Sequence, residues 1–342
     1  MTNLADETSS LEDVLAAVEN RAVTVVGDAM IDRYIEGSVS RVSPEAPIPV
    51  LRYGSERFVP GGGANVAANV VSLGGRADLV AAVGVDDGAT ALARLCRESG
   101  VDASGLVADP ARPTTVKTRL MAQDQQMLRL DQEAVRPLSP EARGALLDAA
   151  ARSLETTHAL VLSDYGKGVL ADGVAGELIA LARRMGRPTI VDPKCADYAR
   201  YRGADVVTPN LAELALATGV PVESFERDEE IVAAARGLVE RFELGALLVT
   251  LSARGMALVR PDGAATMLPT RAQEVFDVSG AGDTVVAGVA LALAADVPLA
   301  DAATLANHAA GVAVAHLGTA RVTAAEVART LRAEHADSGG VS

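Results

Sequence analysis

Cysteine is nearly absent from this chain: only Cys96 and Cys195 occur in 342 residues, far apart and without a CxxC partner. That excludes a disulfide framework, fits a reducing compartment, and leaves both as ordinary thiols. Histidine is scarce as well. His158, His308, His316 and His335 have no zinc-type spacing with cysteines or acids, so they are assigned to structure. No block of lysine or arginine stands out against a formal net charge of -14, which argues against nucleic acid or an acidic membrane as partner. Long apolar runs are missing too: the most apolar stretch, Val285 to Ala295, stops at Asp296, short of the roughly 20 residues a bilayer-spanning helix needs. Met1 to Asn20 holds Asp6, Glu7, Glu12 and Asp13 but neither a basic n-region nor an apolar core. It is not read as a signal peptide, and a cytoplasmic location is expected.

What is present suffices for a large core, with 49% hydrophobic residues and neither internal repeat nor linker. One α/β domain is expected over residues 21–335, after an extension (1–20) and before a short tail (336–342). The stretch that organises it is Asp277-Val278-Ser279-Gly280-Ala281-Gly282-Asp283-Thr284, followed at once by Val285 to Leu293. Two glycines around an alanine let backbone N–H groups converge without Cβ obstruction, and the helix that follows adds unpaired N–H groups and a positive dipole end. Such a nest holds an anion. Asp283 on its rim is read either as a cap of the following helix or as the base that takes a proton from a substrate hydroxyl.

Taken in order, Arg21 to Asp28 reads as a short apolar strand ending in a glycine turn and an acid, the first buried strand of a parallel sheet, with Asp28 and Asp32 at the carboxyl end where open α/β sheets bind ligands. Asp28 is equally readable as a turn residue. From Arg33 to Pro60 the proline density excludes helix, and short edge-like strands forming a lid are expected. Gly61-Gly62-Gly63-Ala64-Asn65 is a glycine loop entering a helix that Gly74-Gly75 ends, and the glycines suggest close approach of a ligand to the backbone. Thr114 to Ala122 and Met127 to Leu130 read as a hairpin completing the lid (about 33–60 and 114–130). Beyond Pro140 a βα rhythm follows. Strands are expected at 159–162, 189–191, 205–207 and 246–249, and helices at 169–185, 211–217 and 229–242. A short antiparallel addition (256–260, 265–268) and helices at 299–316 and 324–332 close the chain. The polar clusters Ser163 to Gly168, Asp192-Pro193-Lys194, Thr208 to Glu213 and Thr250-Leu251-Ser252 each follow a strand, so they converge on one edge. Lys167 and Lys194 are cations placed there for a substrate phosphate, or simply solvated.

With these motifs assembled, the chain resembles the ribokinase-like (PfkB) sugar kinases from about Ala22 to Arg332. The resemblance rests on Gly61 to Ala67 and Asp277 to Thr284 in that order. It is nearest to the bacterial heptose 7-phosphate kinases, through Val26 to Tyr34, Ser40 to Val50, Leu162 to Gly168 and Thr208 to Glu213. The departures are small: Ser279 stands where threonine is common, and Gly63 where many relatives carry alanine. The resemblance implies a three-layer, doubly wound, mostly parallel sheet with a small β-lid. It implies Asp283 as catalytic base and Gly280, Ala281 and Gly282 as anion hole. Asn210, Glu213, Thr250, Ser252, Gly255 and Asn307 are implied on the nucleotide side, with Glu213 near Mg²⁺ through water. Asp28, Asp32, Gly62, Gly63, Asn65, Lys167 and Lys194 are implied on the sugar-phosphate side. ATP and Mg²⁺, with a monovalent cation such as K⁺, are the implied cofactors; a homodimer through the lid is expected because a small sheet with apolar alternation needs a partner for its exposed face. Relatives in which the kinase is fused to a nucleotidyltransferase are longer, so kinase activity alone is expected here. Another sugar, sugar acid or nucleoside as acceptor, or a silent sugar or nucleotide sensor, are the competing readings. A dinucleotide oxidoreductase is disfavoured because no GxGxxG follows the first strand.

Overall fold

In the computed structural model, which describes residues 11–123, 125–271, 280–316 and 321–338, helix α1 (Leu11–Val18) leads into strands β1 (Ala22–Gly27), β2 (Ala29–Val42) and β3 (Pro49–Gly62). Helix α2 (Gly63–Ser72), β4 (Arg76–Val83), α3 (Asp87–Glu98), β5 (Asp102–Ala108), β6 (Thr115–Ala122) and β7 (Gln125–Gln132) follow. After α4 (Pro140–Leu154) come β8 (Ala159–Ser163), α5 (Val174–Arg184), β9 (Thr189–Asp192), β10 (Val206–Val207), α6 (Leu211–Thr218), α7 (Asp228–Phe242) and β11 (Leu247–Thr250). Strands β12 (Met256–Val259) and β13 (Ala265–Leu268) and helices α8 (Ala281–Ala294), α9 (Leu299–Ala313) and α10 (Ala324–Ser338) complete it.

Strand β1 is buried at every position because both faces of its sheet are covered. Val23 and Val25 enter a core shared with α2, α3, α8 and α9, whereas Val26 enters a second core shared with α4, α5 and α7. The result is a three-layer doubly wound fold. Its large sheet runs β13-β12-β11-β10-β9-β8-β1-β4-β5, parallel from β11 to β5 and antiparallel at β12 and β13. A separate small sheet runs β3-β2-β6-β7, with β2 and β6 parallel and the outer pairs antiparallel.

The lid strands differ from the short pieces expected between Arg33 and Pro60: β2 and β3 are each 14 residues long. Pro44 and Pro47 fall in the connection, and Pro49 opens β3, so these prolines remove no donor from the middle of the ladder. The helix expected from Val169 begins only at Val174, because Asp172 (φ 49°) and Gly173 (φ 85°) take left-handed conformations that a helix cannot include. Helix α4 and strand β5 were not anticipated. Helix α4 nonetheless carries a readable start, with Ser139 accepting the Ala142 N–H at 3.2 Å and Pro140 in the first turn.

Candidate active site

Strand order reverses at β1: the chain leaves it toward β4 and β5, then returns to β8 on its other side. At such a switch point the strand ends diverge and leave a crevice. Asp28, just beyond β1, accepts the backbone N–H groups of Tyr165 (2.8 Å), Lys167 (2.9 Å) and Val169 (3.2 Å) on its carboxylate. Burial raises its pKa, and these three donors oppose the rise without cancelling it. The Asp28 carbonyl accepts the Gly63 N–H at 2.9 Å. Gly62 makes that approach possible: its φ is +56°, and a Cβ there would lie 2.4 Å from the Asp28 carbonyl oxygen.

Across the crevice, Gly280 (φ 82°) turns the chain into α8, whose first N–H groups have no acceptor within the helix. A Cβ on Gly282 would meet nothing within 4 Å, so the space over this turn is open. Asp283 is only 6% exposed. Its Oδ2 accepts the Asn65 amide at 2.5 Å and its Oδ1 the Tyr165 hydroxyl at 2.7 Å. Burial lifts its pKa from 3.8 to about 6, while Asn65, Tyr165 and Lys194 hold it down and Asp32 pushes it up. Asn65 comes from the first turn of α2, where Asn69 donates to its carbonyl at 2.9 Å and in turn accepts the Thr284 hydroxyl at 3.2 Å. Asp32, on β2, accepts Arg119 Nη1 from the neighbouring β6 at 2.5 Å.

Asp283, Gly280 and Gly282 line a cleft of about 150 Å³ together with Tyr165, Asp192, Lys194, Asn210, Glu213 and Thr250. Asn210 caps α6 reciprocally with Glu213: its Oδ1 accepts the Glu213 N–H, and Glu213 Oε2 accepts the Asn210 N–H, both at 2.9 Å. Glu213 Oε1 accepts Lys194 Nζ, also at 2.9 Å. Burial, then the charges of Asp283 and Glu213, raise the pKa of Asp192 well above the carboxylate range. Burial works against the charge of Lys194, but Glu213, Asp192 and Asp283 outweigh it and raise its pKa. The cleft thus joins an open glycine turn at a helix start, a buried carboxylate and a lysine among acids, a set whose chemistry suits moving a phosphoryl group onto a hydroxyl.

Residues 20–325 match the pfkB family carbohydrate kinase description. The chain belongs to that family. It is 46% identical over 329 residues to the bifunctional protein HldE of Rhodospirillum rubrum (96% of this chain, 66% of that protein) and 48% identical over 318 residues to that of Gluconacetobacter diazotrophicus (93% and 65%). It therefore spans just under two thirds of the length of these relatives. Phosphofructokinase-2 of Escherichia coli in complex with potassium shares the fold, with a TM-score of 0.75 at 21% identity, covering 92% of this chain and 99% of that one. So does Arabidopsis thaliana ribokinase complexed with ribose and ATP (TM-score 0.72, 20% identity, the same coverages). This member of the pfkB carbohydrate kinase family accordingly has a ribokinase-like fold.

Of the residues singled out from the sequence, the cleft brings together Asn210, Glu213, Thr250, Lys194, Gly280, Gly282 and Asp283, and Asn65 reaches it through Asp283. Ala281 is the first residue of α8. Ser252 and Gly255 form the turn between β11 and β12, outside the cleft lining, and Asn307 on α9 donates to the Pro269 carbonyl at 2.7 Å. Lys167 and Lys194 take different partners. Lys167 Nζ donates to Glu133 at 2.8 Å, and Lys117 lies 3.7 Å from Asp131 and 3.8 Å from Glu133. Asp277, Val278 and Ser279 lie outside the described residues. Tyr165 and Asp192, which line the cleft, were not singled out as site residues. Tyr165 and Asp192 stood inside the quoted clusters after β8 and β9, and only the contact with Asp283 and the lining of the cleft single them out. Among the described residues no three His, Cys, Asp or Glu side chains converge as a metal cage, and both Glu213 oxygens are engaged by Asn210 and Lys194. That donor set fits a hard cation held mainly by phosphate oxygens and water, with Glu213 behind it.

Proposed function

We propose that this kinase transfers the γ-phosphoryl group of ATP to the anomeric hydroxyl of D-glycero-β-D-manno-heptose 7-phosphate, giving the 1,7-bisphosphate and ADP. The observation that carries the reaction type is the Asp283 carboxylate, held by Asn65 and Tyr165 beside the open turn at Gly280 to Gly282. The sugar hydroxyl gives its proton to Asp283 as its oxygen bonds to the γ-phosphorus and the β–γ bridging bond breaks. The N–H groups at the start of α8 stabilise the charge on the transferring oxygens. Mg²⁺ near Glu213 supplies further neutralisation of phosphate charge when bound.

The acceptor reading rests on the resemblance to heptose 7-phosphate kinases, supported by the partly buried Lys117 and Lys167 at the junction of the small sheet and the loop after β8. We assign Lys167, with Lys117, to the acceptor's phosphate, with Asp28, Asp32, Gly62 and Gly63 on the sugar side. Lys194, half exposed beside Asn210 and Glu213, is assigned to the nucleotide phosphates. A homodimer through the small sheet completes the proposal, because that sheet exposes Val42, Tyr53, Leu128 and Leu130. The deciding experiment is a panel of sugars and sugar phosphates with ATP and Mg²⁺, reading ADP release. Preference for the heptose 7-phosphate supports the assignment. Turnover of an unphosphorylated sugar, sugar acid or nucleoside selects the wider family reading, and no turnover of any acceptor selects a sensor.

A further inference from the structure

We propose that Tyr165 is a positioning residue of the reaction centre, its hydroxyl fixing the orientation and charge of the Asp283 carboxylate. The inference deepens the kinase reading and rests on it for its catalytic meaning. A carboxylate offers about four acceptor sites on its two oxygens. Asn65 takes one on Oδ2 and Tyr165 one on Oδ1, which leaves sites on both oxygens for an incoming hydroxyl. With Asn65 alone the carboxylate could turn, because its terminal torsion is broad. The second donor removes that freedom.

Tyr165 is itself held in place from two sides. Its N–H donates to Asp28, and the next N–H in the loop, that of Gly166, donates to Asp164 at 2.8 Å. Asp164 is anchored by the Tyr201 hydroxyl at 2.6 Å and by Arg200 at 3.2 Å. The loop therefore spans two buried acids, one after β1 and one after β8, and carries the phenol rigidly to α8. Burial and the charges of Asp283, Asp192 and Asp32 keep the phenol protonated, so it acts as donor. The charged groups around Asp283 and its donor include Asp32 on β2, Asp28 after β1, Asp164 after β8, Asp192 at the end of β9, Lys194 beyond it and Glu213 on α6, with Asn65 on α2 as the neutral partner.

Tyr165→Phe keeps the ring and deletes the donor. In protein carrying ¹³C-carboxyl aspartate, with the Asp283 resonance identified by its loss in Asp283→Asn, the Asp283 midpoint should rise by about one pH unit in Tyr165→Phe. The acid limb of kcat should move up equally, and the alkaline plateau of kcat should fall about tenfold with KM for ATP unchanged. Replacing all five tyrosines by 3-fluorotyrosine, a stronger donor, should move the midpoint down, and this measurement decides the matter if the phenylalanine variant does not fold. An unchanged midpoint in these proteins overturns the proposal. The resonance reads the Tyr165–Asp283 coupling without any substrate, whereas absence of turnover in the native protein with every acceptor overturns the kinase reading alone.

Discussion

Asp283 meets two opposed demands: burial makes its charge costly, and two hydrogen-bond donors make that charge tolerable. Asp283→Asn keeps the size and one acceptor oxygen while removing the basicity. As a base, its loss should lower kcat by about 10²- to 10⁴-fold, with the ATP dissociation constant unchanged or slightly tighter. Near-normal kcat would reduce Asp283 to a buried acceptor for Asn65 and Tyr165; it is not the cap of α8, whose N-cap is Gly280 with no side-chain cap bond. Stability should move the other way. Because the folded pKa, about 6, lies above the ordinary 3.8, the native state holds this proton more tightly, and the stability it contributes is full below pH 4 and lost as pH rises through 6. Asp283→Asn should therefore unfold several degrees higher than the parent at pH 8 and show no such gain at pH 4, by calorimetry. Lys167→Glu should raise KM for the sugar phosphate far more than KM for ATP, and Lys194→Glu should do the reverse; equal effects on both substrates would sink either assignment. Asp283 and the glycines were legible because a glycine turn before a buried helix has few uses. Tyr165 was not, since a tyrosine after a strand carries no pattern until the fold brings α8 against it.

Helices and strands here are set by how closely backbones must approach at the crevice. Gly62 joins β3 to α2 in a conformation that side chains rarely adopt, with the Asp28 carbonyl in the way of any Cβ. Gly62→Ala should destabilise the fold by about 1–3 kcal/mol through strain, read as a lower urea midpoint, and should lower kcat because Asn65 sits three residues on. Normal stability would mean that the chain relaxes there without cost. Helix α8 was legible as a buried helix from its unbroken apolar run, and it is buried from Asp283 through Ala292. The lengths of β2 and β3 were less legible, because proline composition says where donors are missing but not which residues face each other. Pairing of Ala29 with Gly62 at one end and Val42 with Pro49 at the other settles that.

At the scale of the molecule, the small sheet is open at both edges, β3 and β7, and carries exposed apolar side chains, including Ile48 at its tip. A four-stranded sheet with such a face gains by covering it. Ile48→Asp and Val50→Asp should weaken self-association and lower activity together, measured by sedimentation velocity and turnover. A fully active monomer from both would separate the lid from assembly.

The sequence by itself determined the class of fold, since buried strands with apolar periods of their own alternate with helices, and it determined the glycine turn into α8 and the acid on it, since glycine spacing and a carboxylate at a helix start are local chemistry. Only the tertiary structure decided which polar groups share a partner. Lys167 and Lys194 look alike in the chain, yet one meets Glu133 from the small-sheet side and the other meets Glu213 at the start of α6. The physical reason is that strand order, with β1 placed between β4 and β8, arises from packing two cores against one sheet. That order brings Asp28, Tyr165 and Asp283 together from positions more than a hundred residues apart.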